Sequence, residues 1–387
     1  MGQACAGKQL GRRAAWWGAV GGLLPDADVI AGAPFGEFTS LWLHRGTSHS
    51  LWFGPVVGPL LGLAVWRFER WRARRKQERA GGPPVDLELP AAGAPPGVNW
   101  TSAGARKAWI WLFVLSLITH PMLDVFTSYG TQLFAPVWRE RFALDGIGII
   151  DPVYSVALII ALLVGRARRA DPSGAARIAR WALGLTSAYL LIGLGMTLNV
   201  ERRARAELEL HGYRVDSLVG YTSVFQNGLK RVVARSGDQV FVGYASGWRP
   251  SAISWQRFEL TPSSDVERVL RTPEGQLFSW FAKGQLSWTT TTTDPGLAGR
   301  VVQIDDIRYG MPGNPTQGMW GIEGQVDPLG NVTSVHRLRR PRAIRDGQIS
   351  DIFRAALGKD PRTFQVGIGG GFREVTSPAQ AAAPPGN

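Results

Sequence analysis

The sequence predicts a multi-pass α-helical membrane bundle followed by a mainly-β extramembrane domain, an antiparallel meander or small barrel. Three observations carry that fold class. Apolar runs recur up to about Val200 and stop there, after which the chain turns polar, Gly-rich and Thr-rich with alternating segments. Tryptophan, 16 of 387 residues, flanks those runs at Trp16, Trp17, Trp52, Trp66, Trp109, Trp111 and Trp181. That is its habit at the membrane–water boundary, where the ring is buried and the N–H stays wet. The net charge of +13 is concentrated in arginine runs just outside the apolar segments, as in cytoplasmic membrane loops. A nucleic-acid surface would interleave aromatic with basic residues instead, so the expected partner is the lipid bilayer and not nucleic acid. One cysteine, Cys5, excludes an intramolecular disulfide and a Cys-cluster zinc site.

Taken in order, residues 1–200 read as the membrane domain, 201–358 as the β-rich domain and 359–387 as a largely flexible tail. A short basic start (Lys8, Arg12, Arg13) leads into Ala14 to Leu24, shorter than the ~20 residues a spanning helix needs. Pro25-Asp26-Ala27-Asp28 then sets two carboxylates at its exit, and a connecting segment delivers His44-Arg45-Gly46-Thr47-Ser48-His49-Ser50. A helix from Ser48, its N-cap, to about Phe68 carries Gly54, Pro55, Gly58, Pro59 and Gly62. Membrane helices tolerate such residues where neighbours re-satisfy the backbone. The basic run Arg67 to Arg79 and the flexible loop Gly81 to Gly97 follow, then the apolar run Ala108 to Val125 with a kink expected at His120-Pro121. Residues four apart share a helix face, which places His120 beside Asp124. Pro152 to Gly165, the basic run Arg166 to Arg180 and the spanning candidate Trp181 to Val200 complete the first domain. With positive loops inside, Asp26, Asp28, His44, His49 and the loop after Asp124 fall on the outer side, and so does everything after Val200. Beyond it, Gln239–Ser246 alternates with period two after the turn Ser236-Gly237-Asp238, and Leu277–Ala282, Gln285–Thr292, Val301–Tyr309 and Met319–Gln325 read as further strands.

The chemistry lies in the first domain. The chain has five histidines, and His44 and His49 share one turn while His120 stands inside an apolar run. His211 and His336 have no acidic partner at ligand spacing and read as structural. Asp26, Asp28, His44, His49, His120 and Asp124 thus form a set of nitrogen and oxygen donors without thiolate, which suits Zn, Mn, Fe or Ni. Six candidates exceed one tetrahedral shell, so the expectation is one or two divalent ions, with any excess residue acting behind the ligands or as a base. Arg45 stands between the two histidines and could clamp an anionic group such as phosphate. Asp145 and Asp151 fit turn and cap positions better than ligand positions. Asp151-Pro152 nevertheless opens a helix on the same side, and Asp151 joins Arg45 as a candidate catalytic residue. No phosphate-binding Gly loop, nucleophile elbow or dinucleotide fingerprint is present.

Three segments carry a resemblance: Leu24-Pro25-Asp26-Ala27-Asp28, His44 to Ser50, and His120-Pro121-Met122-Leu123-Asp124 continuing to Phe134, with Ile150-Asp151-Pro152 beyond. They resemble the YdjM-like family of bacterial membrane-bound, metal-dependent hydrolases, also described as LexA-binding inner-membrane hydrolases. The resemblance implies a multi-pass inner-membrane protein with a metal site on the motif histidines and aspartates, and a C-terminal extension of the kind longer members carry. Family members begin with a further helix bearing a Thr-His or similar polar pair. This chain opens at Gly2 to Arg13, which resembles the middle of that region, so its first helix is expected to be truncated.

Two functions compete. The first is a metal-dependent hydrolase of the inner membrane, cutting an ester or phosphoester of a small-molecule or lipid-linked substrate at the outer mouth of the bundle. The second is a non-catalytic anchor or regulator whose β domain binds a protein partner, with a structural metal site.

Overall fold

The computed structural model describes the chain except at residues 82–85, 91–93, 169, 251, 293–298, 311–313, 339–347, 360–370 and 375–387. The expected loop Gly81 to Gly97 and the tail from 359 lie partly or largely outside the described residues. Two units divide the rest: Met1–Phe35, Leu43–Ala143 and Pro152–Leu190 form one, and Gly36–Trp42, Leu144–Asp151 and Leu191–Asn387 the other.

The first unit is helical. Helices α1 (Gly2–Leu10), α2 (Arg12–Leu23) and α3 (Ala27–Gly32) are followed by α4 (Glu37–Leu43), which leads out of the second unit, and then by α5 (Phe53–Arg79), α6 (Arg106–Asp124) and α7 (Pro152–Ala167). Its core joins Leu10 and Ala14 to Val65 and to Trp109, Leu112 and Phe113 of α6. Trp17 packs edge-on to Phe68 and Trp109, and its indole N–H donates to buried Glu69, which also pairs with Arg13 at 2.9 Å. The glycines of α5 have a packing reason. A Cβ at Gly58 would stand 2.7 Å from Val114 Cα, and one at Gly62 2.5 Å from Ile110 Cα. Small residues four apart therefore let the backbones of α5 and α6 touch, which docks the start of α5 against the end of α6.

That packing corrects the multi-pass bundle. Among the described residues one helix, α8 (Pro172–Leu210), is long and apolar enough to cross a membrane, or two if the bent pair Glu37–His49 and Phe53–Arg79 counts as one span. The run in α6 is apolar because it is the centre of the helical core, with Trp109, Leu112 and Leu117 fully buried. The apolar part of α5 ends at Trp66, where the charged half of the helix begins, and α7 has 16 residues. Composition cannot separate a helix wrapped by protein from one wrapped by lipid.

The second unit is built on two sheets. One has the order β1 (Ser217–Thr222), β2 (Leu229–Ser236), β3 (Gln239–Ser246), β4 (Ser254–Glu259) and β9 (Gly371–Glu374), antiparallel apart from the parallel β4–β9 edge. The other is an antiparallel run of β5 (Leu286–Thr292), β6 (Arg300–Asp306), β7 (Gly321–Val326) and β8 (Val332–Arg337). Two sheets thus replace the single meander or barrel, though β3, β5, β6 and β7 lie where strands are expected. Leu277–Ala282 is not a strand: it falls in helix α10 (Pro273–Phe281), which follows α9 (Ser264–Arg271). Helix α11 (Gln348–Ala356) packs on β2 and β3. The period of two explains why the first sheet is buried on both faces. Val232, Ala234, Phe241 and Ala245 face Val200, Ala204 and Leu208 of α8, whereas Val233, Val240, Val242 and Phe258 meet Ile307 on the other side. The C-terminal half of α8 is therefore the core helix of the β domain.

Candidate metal centre

The first unit brings one group of donors together. Asp26 stands at the N-cap of α3, His49 ends the 3-10 turn Thr47–His49, and His120 lies one turn before the end of α6. His49 Nε2 is 3.0 Å from His120 Nε2 and 3.3 Å from Asp26 Oδ1, and His120 Nε2 is 3.5 Å from the same oxygen. Donors bound about 2.0–2.1 Å from a zinc-type ion in tetrahedral geometry lie about 3.3–3.4 Å apart. The three atoms have the spacing of one face of such a shell, and this set could hold a metal ion.

Tautomers strengthen the case. His120 Nδ1 is 2.7 Å from the Gly22 carbonyl oxygen, which can only accept, so this nitrogen carries a proton. His49 Nδ1 lies 3.2 Å from Asp28 Oδ2, and Ser48 Oγ donates to the same oxygen at 2.8 Å, which fixes the proton on His49 Nδ1 as well. In the neutral rings both Nε2 lone pairs then face each other across 3.0 Å. A metal ion between them relieves that opposition, and so does a proton: against the effect of burial, the Asp124 and Asp26 carboxylates raise His120 to about 9.

Asp124 stands beside this group. Its Oδ2 lies 3.4 Å from His49 Nε2 and 3.5 Å from His120 Nε2. Arg45 Nε is 3.2 Å away, but its N–H is not aligned on the oxygen, and among the described residues this buried oxygen accepts no hydrogen bond. A buried acceptor without a donor costs about 1–3 kcal/mol, which a fourth ligand position would offset. The donor set, its spacing and this orphaned oxygen all fit a divalent ion.

The remaining candidates stand one layer back. Asp28 spends Oδ1 on His44 Nδ1 at 2.9 Å and Oδ2 on Ser48, His49 Nδ1 and the backbone N–H of Arg45. It aims the His49 ring, the place a carboxylate takes behind a ligating imidazole. His44, its side chain 22% exposed, packs edge-on to His49 and Tyr129 and is outside the converging set. Arg45 does not extend freely toward a substrate. It pairs with Asp124, donates to Thr127 Oγ1 at 2.7 Å and lies over the Tyr129 ring. Its backbone takes φ 57°, a left-handed conformation uncommon outside glycine, held by Asp28 at its N–H and by the Gln132 N–H at its carbonyl. Asp151 belongs to the second unit, where it is buried and its charge acts on Lys230. Ser48 serves Asp28 and His49 rather than capping a helix, since α5 begins at Phe53.

The electrostatics favour a cation. The His120 and His49 imidazoles beside it hold the Asp26 carboxyl well below the usual carboxylate range. Burial pushes Asp28 up, but the bonds from His44, His49 and Ser48 outweigh it and keep it low. Both carboxylates are anionic at neutral pH.

Sequence reasoning missed the Gly22 carbonyl and Tyr129. A signal existed for the first: carbonyls in the last turn of a helix lack intrahelical partners, and Gly22 occupies the last turn of α2. Tyr129 carries no such mark.

The chain thus has a helical unit with a candidate His/Asp metal site, a β domain, and, among the described residues, one helix long and apolar enough to cross a membrane. The model of the YdjM inner membrane protein family matches residues 1–200, more than half of the chain, and the protein belongs to that family. No curated protein and no solved structure matches the chain.

Proposed function

We propose that the protein is a metal-dependent hydrolase of the inner membrane acting on an ester or phosphoester, with Asp26, His49 and His120 holding one divalent ion and Asp124 able to complete the set. The facing Nε2 lone pairs of His49 and His120, 3.0 Å apart with both Nδ1 protons committed elsewhere, are the observation that carries this reading. The ion would supply Lewis acidity, making water a nucleophile near neutral pH and offsetting negative charge on the ester oxygen. Asp28 keeps the His49 ring in one tautomer. It also accepts the Nδ1 proton of His44, which leaves His44 Nε2 as the basic nitrogen, partly exposed beside the centre and able to take a proton from water or return it to a leaving alkoxide. Arg45 holds Asp124 in place. Asp151 has no role in this reading.

The arginines Arg166, Arg168, Arg169, Arg177 and Arg180 precede the apolar run of α8, whereas of those after it Arg203 donates to the Ser246 carbonyl and Arg205 to that of Val215. This supports a cytoplasmic start for α8 and a β domain outside the cytoplasm. The substrate is a small molecule or a lipid-linked ester from the bilayer.

The test is hydrolysis of p-nitrophenyl phosphate, bis-p-nitrophenyl phosphate and p-nitrophenyl acetate by the purified full chain with Zn or Mn. Metal-dependent turnover that His49→Ala and His44→Ala both remove is expected. Stoichiometric metal with no turnover on any of them would favour a structural site in a non-catalytic anchor.

A further inference from the structure

The C-terminal domain exposes an apolar stripe that its own core does not use. On α11, Ile352, Ala355 and Ala356 are buried against the sheet, whereas Ile349, Phe353 and Leu357 are 45%, 44% and 52% exposed. Positions i, i+4 and i+8 share a helix face, so these three form one row along the outer side. Trp248, 54% exposed, follows β3 at the end of α11: a Cβ on Gly228 would meet both the Trp248 ring and Ala356.

The stripe is continuous with the helix able to cross the membrane. Met196, near the end of the apolar run of α8, packs on Gly247 beside Trp248. Arg203 of α8 donates to the Ser246 carbonyl, and Ser246 Oγ donates to the Ala356 carbonyl. The place where α8 leaves its apolar stretch, the loop carrying Trp248 and the end of α11 are therefore one locality. Cations flank it: Arg249 is exposed with its side chain over Gly358, and Lys359 is exposed. Asp351, the acidic side chain described on α11, is buried.

We propose that α11 and Trp248 form a second membrane contact, in which Ile349, Phe353 and Leu357 enter the headgroup–acyl boundary and Arg249 and Lys359 meet anionic headgroups. An apolar row, an edge tryptophan and flanking cations are the parts of an interfacial helix, and α8, the helix long and apolar enough to cross a membrane, runs into this corner of the domain. The contact rests on membrane residence and is independent of any hydrolase activity. It would fix the β domain against the lipid rather than leave it swinging on α8.

The experiment uses the full chain with Cys5→Ser, reconstituted in phosphatidylglycerol-containing vesicles, and an environment-sensitive dye on Phe353→Cys or, as a second probe, Ile349→Cys. Asp238→Cys is the reference, because it lies in the turn at the far end of β3, about 30 Å from Gly247 for a strand rising ~3.3 Å per residue. Brominated or spin-labelled lipid should quench the 353 and 349 dyes at least about twofold more than the 238 dye. Arg249→Glu with Lys359→Glu should abolish that difference, and so should phosphatidylcholine vesicles at high salt. Equal quenching at 353, 349 and 238 overturns the proposal. So does a dye shielded from water yet not quenched by lipid, the mark of a contact between two copies of the chain.

Discussion

Two buried polar centres, one in each unit, look alike by composition and differ in how they are closed. In the β domain Lys230 is fully buried, yet its three ammonium protons meet the Gly193 carbonyl, Thr222 Oγ1 and Asn227 Oδ1. Asp145, Asp151 and Glu201 supply the opposing charge. In the helical unit, Asp26, His49, His120 and Asp124 bring acceptors to within 3.0–3.5 Å of the two imidazoles, with both Nδ1 protons already spent outside the group. The first centre is complete within the chain, whereas the second has donors that could hold a metal ion. The difference is one of donor accounting: a buried lysine with three acceptors is structural, whereas converging lone pairs indicate a guest.

The largest effect that could break this contrast is removal of a ligand. His49→Ala or His120→Ala should lower divalent-metal affinity by about 1,000-fold or more, since a three- or four-donor site rarely survives the loss of an imidazole. Calorimetric titration with Zn of each variant checks it, with Lys230→Met as the control that leaves affinity unchanged. Metal removal should divide the units in the same way. At a metal concentration about 100 times Kd the ion adds about 2.7 kcal/mol of stability, so a chelator should lower the melting of the helical unit and spare the β domain. Hydrogen exchange resolved along the chain measures this.

Asp28→Asn sharpens the distinction between ligand and support. It keeps the shape but weakens the hold on His49 Nδ1, and a loss of about 10–100-fold in metal affinity is expected, well short of the loss from His49→Ala. Equal losses would move Asp28 into the ligand set.

The smallest effect concerns Lys230. Burial pushes its ammonium down to about 7 from 10.5, against the raising pull of Asp145, Asp151 and Glu201. Between those values the unfolded chain holds a proton that the folded one has released, so stability rises with pH, by up to about 1.4 kcal/mol per unit. Below about 7 both states are protonated and the contribution is flat. Denaturant titrations from pH 7 to pH 10 should show that slope in the β domain and lose it in Lys230→Met.

The sequence made the residue types of the centre legible but not their layering. Asp26 and Asp28 are two apart and cannot share a helix face, so one meets the imidazole Nε2 atoms while the other reaches round to Nδ1. Deciding which requires the turn that Arg45 makes at φ 57°, and the residue type does not announce that turn. The apolar runs misled for a related reason, since α6 is apolar for the sake of α1, α2 and α5. Glycines 54, 58 and 62, read as signs of a membrane helix, mark the tight α5–α6 contact. In the β domain the buried cations Lys230 and Arg231 interrupt the alternation of β2 and hid it. Leu277–Ala282 is a short apolar run of the kind that periodicity cannot assign. A cap signal was present there: Thr272 accepts from the Gly275 N–H, with Pro273 at the first helical position.

The central claim is that His49 and His120 share one cation through Nε2. X-ray absorption at the metal edge of the purified, zinc-loaded full chain tests it most directly. One ion per chain with two imidazole nitrogens at about 2.0–2.1 Å and oxygen donors filling the shell is the predicted result. A metal-free protein, or an ion whose imidazole signal persists unchanged in the His49→Ala, His120→Ala double variant, would contradict it.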